Sequence, residues 1–193
     1  MDIKVNTKHT SQQILDIAQR LVQTRGFNAF SYADIAEALH VTKASLHYHF
    51  TTKADLGVSL IERYDRRIQE ALADIDRSGA GAADKIRAYV RIYSDVLRDD
   101  RMCMCGMLAA EFVTLPKAMQ AALDRYFDGN DRWLATVLEE GRAEGALRFS
   151  GSSAEMAQFL IASLEGAMML ARSHGGMARF DAATRRLLAE LGA

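Results

Sequence analysis

The chain has 193 residues, 49% of them apolar and 25% charged, with a formal net charge of −1. This is ordinary globular composition, long enough for one or two domains with a sizeable core. A charge so close to zero excludes a protein that attracts nucleic acid over its whole surface, so any such surface must be a local patch.

The N-terminus MDIKVNTKHT lacks the apolar core of a secretion signal, and the most apolar later stretch, residues 154–172, carries Glu155, Gln158, Ser163 and Glu165. A cytoplasmic protein with no membrane partner is expected. Cys103 and Cys105 are the only cysteines. On one helix an i,i+2 pair points in directions about 200° apart, which does not suggest a disulfide framework.

Apolar residues recur at spacings of three and four along the chain, strand alternation is absent, and Pro116 is the single proline. The expected fold class is therefore all-α. A first helix opens on a Thr10–Gln13 capping box, buries Ile14, Ile17, Ala18, Leu21 and Val22, and ends at Gly26. A second starts at Ser31 with Asp34 three residues on, buries Ile35, Ala36 and Leu39, and stops near His40. Thr42 caps a third through Ser45, with Val41 and Leu46 placed as a hydrophobic staple.

Thr52 and Asp55 begin a long helix over 53–77, which the run Ser78, Gly79, Gly81 interrupts. Further helices are expected near 82–98, 102–114, 116–143, 153–173 and 181–191. No internal repeat or low-complexity run is present.

The most informative segment is 31–53, SYADIAEALHVTKASLHYHFTTK. Two short capped helices joined by a three- to four-residue turn make a helix-turn-helix, whose second helix fits a major groove while the first crosses the backbone. A helical hairpin that merely packs has the same outline. Charge favours the nucleic-acid reading: residues 1–53 hold six basic residues (Lys4, Lys8, Arg20, Arg25, Lys43, Lys53) against four acidic ones (Asp2, Asp16, Asp34, Glu37), a net +2 that leaves −3 for the rest. Four of the five histidines, at 9, 40, 47 and 49, also lie there.

Residues 14–56, ILDIAQRLVQTRGFNAFSYADIAEALHVTKASLHYHFTTKADL, resemble the signature of the TetR family: helix, glycine, aromatic, short helix, recognition helix, and an aromatic-rich exit ending in Phe and Lys. The resemblance implies a three-helix helix-turn-helix DNA-binding domain over 1–52 and a helical ligand-binding and dimerisation domain over 53–193, with 53–77 as the connecting helix. It places Thr42, Lys43, Ala44 and Ser45 at the start of the recognition helix, His47, Tyr48 and His49 on its exposed flank, and Lys53 at the opening of the connecting helix as a phosphate contact. The chain departs from the family pattern in having His47 where tyrosine is usual and Ala44 where glycine is frequent. Phe50 is expected to be a core anchor.

In the body, the helix over 154–172 is apolar nearly all round and so is expected to be covered on both sides, by a ligand pocket and by a twofold partner. Leu187, Leu188 and Leu191 would complete a four-helix interface, although a monomer core predicts the same pattern. Candidate effector contacts are Tyr89, Tyr93, Met104, Met107, Glu111, Tyr126, Trp133 and Met168, and Met102, Phe112, Phe127 and Met169 are further wall candidates; ordinary core packing suits each of them better still. Glu111 and Glu165 interrupt apolar runs as polar anchors or as ordinary hydrogen-bonded carboxylates.

Cys103 falls in the first turn of the expected 102–114 helix, where the helix field favours a thiolate. The segment CMCGMLAAEFVTL is similar to the TetR-type subgroup that senses electrophiles or oxidants through a cysteine at this place. A metal site and a cofactor are not expected, because the two cysteines point to different faces and His174 is the one histidine outside the head. The expected function is a ligand-responsive repressor that binds a palindromic double-stranded DNA operator as a homodimer and is released by a small apolar effector. The alternatives are a redox or electrophile sensor acting through Cys103, a helical adaptor without DNA binding, and an enzyme. No G-x-S-x-G, Walker, dinucleotide or H-E-x-x-H motif supports catalysis.

Overall fold

The computed structural model describes residues 7–192; residues 1–6 and 193, including Asp2 and Lys4 of the head's charge count, and the side chains of residues 7–9, hence Lys8 and His9, lie outside the described residues. The described chain is helical, with no strand: α1 (Thr7–Arg25), α2 (Tyr32–Leu39), α3 (Lys43–His49), α4 (Lys53–Arg77), α5 (Ala82–Arg98), α6 (Met104–Ala110), a 3-10 turn (Phe112–Thr114), α7 (Lys117–Ala143), α8 (Ser153–Ser173) and α9 (Gly176–Leu191). The all-α expectation holds.

The capping signals account for most boundaries. Ser31 and Asp34 form a reciprocal capping box on α2, and His40 ends that helix in the left-handed conformation at φ 54°. Thr42 accepts the Ser45 N–H at 3.3 Å at the start of α3. Thr52 and Asp55 exchange bonds at the start of α4, as Ser152 and Glu155 do at α8.

Three expected boundaries are corrected. Thr10 does not open α1; it is buried, one turn inside a helix that starts at Thr7. The helix expected over 102–114 is α6 followed by a separate 3-10 turn, and the chain then extends at Leu115 (φ −74°, ψ 145°), where Pro116 disfavours helical geometry in its predecessor. The last helix starts at Gly176 rather than 181.

The chain forms two compact units: one holds the residues up to Asp65 together with Met104–Leu123, the other Arg66–Cys103 together with Asp124 onward. Compactness therefore does not divide the chain at residue 52, because α4 is shared and α6 folds with the head.

In the first unit α1 packs on α2 and α6, and α2 on α3. Ile14, Ala18, Val22, Ile35, Leu46 and Leu56 are all fully buried, and each of these side chains except the small Ala18 contributes roughly 1.5–3 kcal/mol. Arg63 of α4 is buried too, its guanidinium donating to Asp16 at 2.8 Å and Gln19 at 2.9 Å on α1.

Gly26 ends α1 at φ +93°, its N–H donating to Val22 O at 2.9 Å. The loop that follows is gripped by two opposite charges. Glu111 accepts the N–H groups of Phe27 at 2.6 Å and Asn28 at 3.2 Å, while the Lys53 ammonium donates to the carbonyls of Phe27 at 2.5 Å and Phe30. A Cβ on residue 26 would lie 2.8 Å from Glu111 Oε1, so both the backbone angle and the carboxylate require glycine there.

In the second unit α8 packs along α9, and α5 contacts both. Asp76, near the end of α4, accepts from Lys85 of α5 at 2.8 Å and from the Trp133 indole of α7 at 2.9 Å. Arg148 N–H donates to Leu191 O at 3.0 Å and so fastens the end of α9.

Glu111→Ala should lower the urea midpoint of the protein, with a loss of about 1.5–3 kcal/mol for two N–H groups deprived of a charged acceptor. An unchanged midpoint in a urea titration followed by circular dichroism would mean that water replaces the carboxylate at no cost.

Candidate functional site

The first candidate site is the outer face of α3. Leu46 is fully buried and Phe50 is 8% exposed, so the helix is anchored by one face. Thr42, Lys43, Ala44, His47 and Tyr48 are exposed, and Ser45 and His49 are half-buried. Tyr48, at 78% exposure, is a large aromatic ring with no core role.

Tyr32 of α2 ties the two helices together. Its hydroxyl donates to Phe50 O at 2.8 Å, and its ring lies 4.7 Å from that of His47. Burial, helped by the Asp55 charge, pushes the Tyr32 hydroxyl up to about 12, so it remains a donor throughout the physiological range. His47 Nδ1–H donates to Thr51 O at 3.0 Å, since a carbonyl can only accept. That bond leaves Nε2 of the neutral ring as an acceptor. Beside these residues an open cleft of about 450 Å³ is lined by Ser31, Tyr32, Lys43, His47 and Lys53, among others.

Lys53 differs from its expected role. Its ammonium is turned onto the 26–30 loop, above the rings of Phe27 (4.5 Å) and Phe30 (4.3 Å) as well as on their carbonyls. Burial pulls its pKa down, with the charges of Glu111 and Asp34 acting in the opposite direction. Two of its three N–H groups are used inside the head, which makes it first of all a structural cation.

The expected effector residues fall into different places. Met104 and Met107 lie in the first unit, Met104 fully buried. Glu111 lies there as well and is corrected from polar anchor to loop clamp, because both its oxygens are engaged by Phe27 and Asn28. Tyr89, Tyr93, Tyr126, Trp133 and Met168 belong to the second unit, with Met168 wholly in its core.

Four of these come together around a polar cluster. The Tyr89 hydroxyl meets that of Tyr93 at 3.3 Å and donates to Asn130 Oδ1 at 3.2 Å, and Asn130 Nδ2 donates to Tyr126 O at 2.8 Å. The Trp133 ring stacks on Tyr89 at 5.7 Å and 25°. Desolvation drives the Tyr89 and Tyr93 hydroxyls well above the ordinary phenol range.

Cys103 closes this cluster. It is 3% exposed, and its Sγ stands 4.0 Å from the Tyr126 hydroxyl. It sits just before α6 rather than in its first turn, so the expected placement is off by one residue. Glu165 is pushed up to about 7 by burial, with Cys103 acting the other way. Its Oε1 is buried without a hydrogen-bond partner among the described residues. Asn130, 1% exposed, is the cluster member that sequence reasoning missed. Its place four residues after Tyr126, within the apolar stripe of α7, was the available signal.

Because ionising Glu165 is harder in the folded chain, its contribution to stability is complete below about pH 4.5 and is lost as the pH rises through about 7. Glu165→Gln should therefore gain stability relative to the parent between those values and hold the gain above them. A difference that does not vary with pH in thermal melts would reject the raised carboxyl.

Residues 14–59 match the family model described as bacterial regulatory proteins, tetR family, and residues 82–187 match that of the tetracyclin repressor-like C-terminal domain. A TetR-family transcriptional regulator from Agrobacterium tumefaciens superposes with a TM-score of 0.94 at 33% identity, over 97% of this chain and 100% of that one. The HTH-type transcriptional repressor NemR of Escherichia coli is 29% identical over 175 residues, 86% of each chain. Its reduced-form crystal structure gives a TM-score of 0.81 at 26% identity, covering 94% of this chain and 97% of that one. Helix-turn-helix, helical body and both family matches agree: the chain belongs to the TetR family of bacterial transcriptional regulators.

Proposed function

We propose that this protein is a homodimeric repressor that reads a palindromic operator through α3 and leaves it when the second unit takes up a small effector. The observation that carries the reading is the one-sided anchoring of α3, with Leu46 and Phe50 buried and Thr42, Lys43, His47 and Tyr48 facing outward. Such a helix presents hydroxyls, one cation and aromatic edges to a major groove. With Nδ1 held by the Thr51 carbonyl, the remaining ring nitrogen of His47, Nε2, is the one left to meet a base edge. A phosphate fits the cleft beside Lys43, and there the third N–H of Lys53 adds charge without Lys53 leaving the loop.

The dimer is supported by the outward side of α8 and α9. Phe159, Met169 and Leu170 are each half or more exposed, and a shallow groove of about 420 Å³ runs past Ala162, Gly166, Ala183 and Arg186. Leu187, although only 7% exposed, lines this groove as well, whereas Leu191 is buried at 1%. Helix α8 is also long and apolar enough to cross a membrane, with a mean hydropathy of 1.2. A second copy covering Phe159 and Leu170 accounts for that apolar face in a DNA-binding protein working in the cytoplasm.

The effector reading rests on the Tyr89–Tyr93–Tyr126 cluster, whose rings favour an apolar molecule and whose hydroxyls orient it. A second reading is favoured by one observation, the Cys103 thiol set into the same tyrosine cluster, 4.0 Å from the Tyr126 hydroxyl. In it the signal is an electrophile or oxidant that modifies Cys103.

Lys43→Ala should weaken operator and unrelated DNA alike and reduce the salt slope by about one unit. Lys53→Met should instead show itself first as a lower melting temperature. Fluorescence anisotropy at two or more salt concentrations checks both, and an unchanged slope for Lys43→Ala removes its phosphate contact. Light scattering should find a dimer that Phe159→Asp weakens. Because linkage is reciprocal, operator DNA should lower effector affinity by the factor by which the effector lowers DNA affinity; equal effector affinity with and without DNA would sink the release model.

A further inference from the structure

Among the exposed residues of α3, His47 is the only histidine, the side-chain type whose charge changes between about pH 5 and pH 8. Its ring is fixed at two points. Nδ1 lies 3.0 Å from Thr51 O, and the ring stands 4.7 Å from that of Tyr32. A carbonyl only accepts, so the Nδ1 proton is committed inside the head and Nε2 is the atom left for a partner. On a neutral ring Nε2 can only accept; on a protonated ring it can only donate. While the Thr51 bond lasts there is no third state, because a neutral imidazole carries one N–H. The other exposed groups of α3 are not restricted in this way: Lys43 donates throughout, and the hydroxyls of Thr42 and Tyr48 both donate and accept. The tyrosine that is usual in the family at residue 47 would do the same, so histidine there ties the sense of the contact to a proton.

The groups facing the ring come from three elements. Tyr32 of α2 keeps its hydroxyl proton, pushed up to about 12 by burial and the Asp55 charge, and spends it on Phe50 O. Lys43 of α3 and Lys53 of α4 line the same cleft as His47. On α3 itself Tyr48 and His49 meet edge to face. The carboxylates of the neighbourhood act on other groups, Asp55 on Tyr32, and Glu111 and Asp34 on Lys53. Among the described residues no carboxylate pairs with His47 to fix its charge, so a base edge opposite Nε2 is free to do so.

We propose that His47 sets the base preference at one position of each operator half-site and that a proton switches it. The neutral ring accepts from the amino group of cytosine or adenine, and the protonated ring donates to the N7 and O6 acceptors of guanine. The proposal rests on the reading of α3 as the recognition helix and names the base chemistry that one of its residues reads. Linkage gives the sign. A duplex with cytosine at that position expels the proton on binding and loses affinity as the pH falls through the histidine range; one with guanine takes a proton up and gains. A phosphate contact is the competing role. It also needs the protonated ring, but phosphate carries no sequence information, so affinity would rise on every duplex alike, with a salt slope steeper by about one unit.

The test enriches a random-sequence duplex pool on the full-length protein at about pH 8 and at about pH 5.5, on either side of the histidine range. The consensus duplex from each pH is then titrated by fluorescence anisotropy at both. Parent protein should select cytosine or adenine at one position of each half-site at the higher pH and guanine there at the lower. The affinity ratio of the two duplexes should change roughly three- to tenfold per half-site between the two conditions. His47→Gln, whose amide donates and accepts at any pH, should bind with a preference at that position that no longer depends on pH. His49→Gln, whatever it does to affinity, should keep the shift. So should His40→Asn, because asparagine tolerates the left-handed conformation of residue 40. A parent protein that prefers the same bases at both pH values overturns the proposal, as does a shift that survives in His47→Gln. A uniform rise on all duplexes at low pH with a steeper salt slope moves His47 to a phosphate and overturns it too. The selection also separates the two layers: a consensus that ignores pH removes the proton switch and leaves operator reading in place, whereas no consensus at either pH removes both.

Discussion

The head depends on how the backbone of residues 26–30 is neutralised. This loop turns the chain from α1 towards α2 and carries N–H and C=O groups that neither helix satisfies. Glu111 takes two of its N–H groups and Lys53 takes two of its carbonyls. A carboxylate on donors and an ammonium on acceptors are each stronger than neutral hydrogen bonds, and the two charges also attract one another. With the loop seated, Phe27 and Phe30 are buried edge to face, and Ser31 stands where it caps α2.

The reading surface follows from that seat. α2 is positioned by its capping box, the Tyr32 hydroxyl fixes the exit of α3, and Leu46 pins the middle of α3 into the core. The exposed residues of α3 thus project from a helix of only seven residues, far too short to hold its shape alone in water. In the second unit the same economy of apolar packing is broken at one place, where hydroxyl, amide, thiol and carboxyl groups collect around Tyr89. Such a cluster is costly to bury and is kept where chemistry or recognition requires it.

Much of this was legible in the chain. Caps at Ser31, Thr42 and Thr52 are local chemistry, and local chemistry is what a sequence displays. Helix α5 matches its expected span, and the helix-turn-helix lies where its spacing placed it. Long-range partnerships were not legible. Glu111 and Phe27 are 84 residues apart, and nothing near Glu111 distinguishes an effector anchor from a loop clamp. The position of Lys53 at the opening of a helix reads as a phosphate contact, whereas the aromatic pair that draws it inward lies 23 to 26 residues earlier. The tyrosines of the second unit were found because they are large and apolar. Asn130 escaped because a single amide in an amphipathic helix looks like a surface residue until its neighbours are known.

The clamp holds main-chain atoms. Glu111 and Lys53 grip amides and carbonyls that every residue except proline can offer, and only Gly26 is demanded by name through its positive φ. Residues 27–30 can accordingly vary in evolution as long as two of them still bury an apolar ring or its equivalent. The seat of the head is insulated from the drift that retunes α3 for new operators. A lineage can change what its repressor reads without relearning how the reading helices are held.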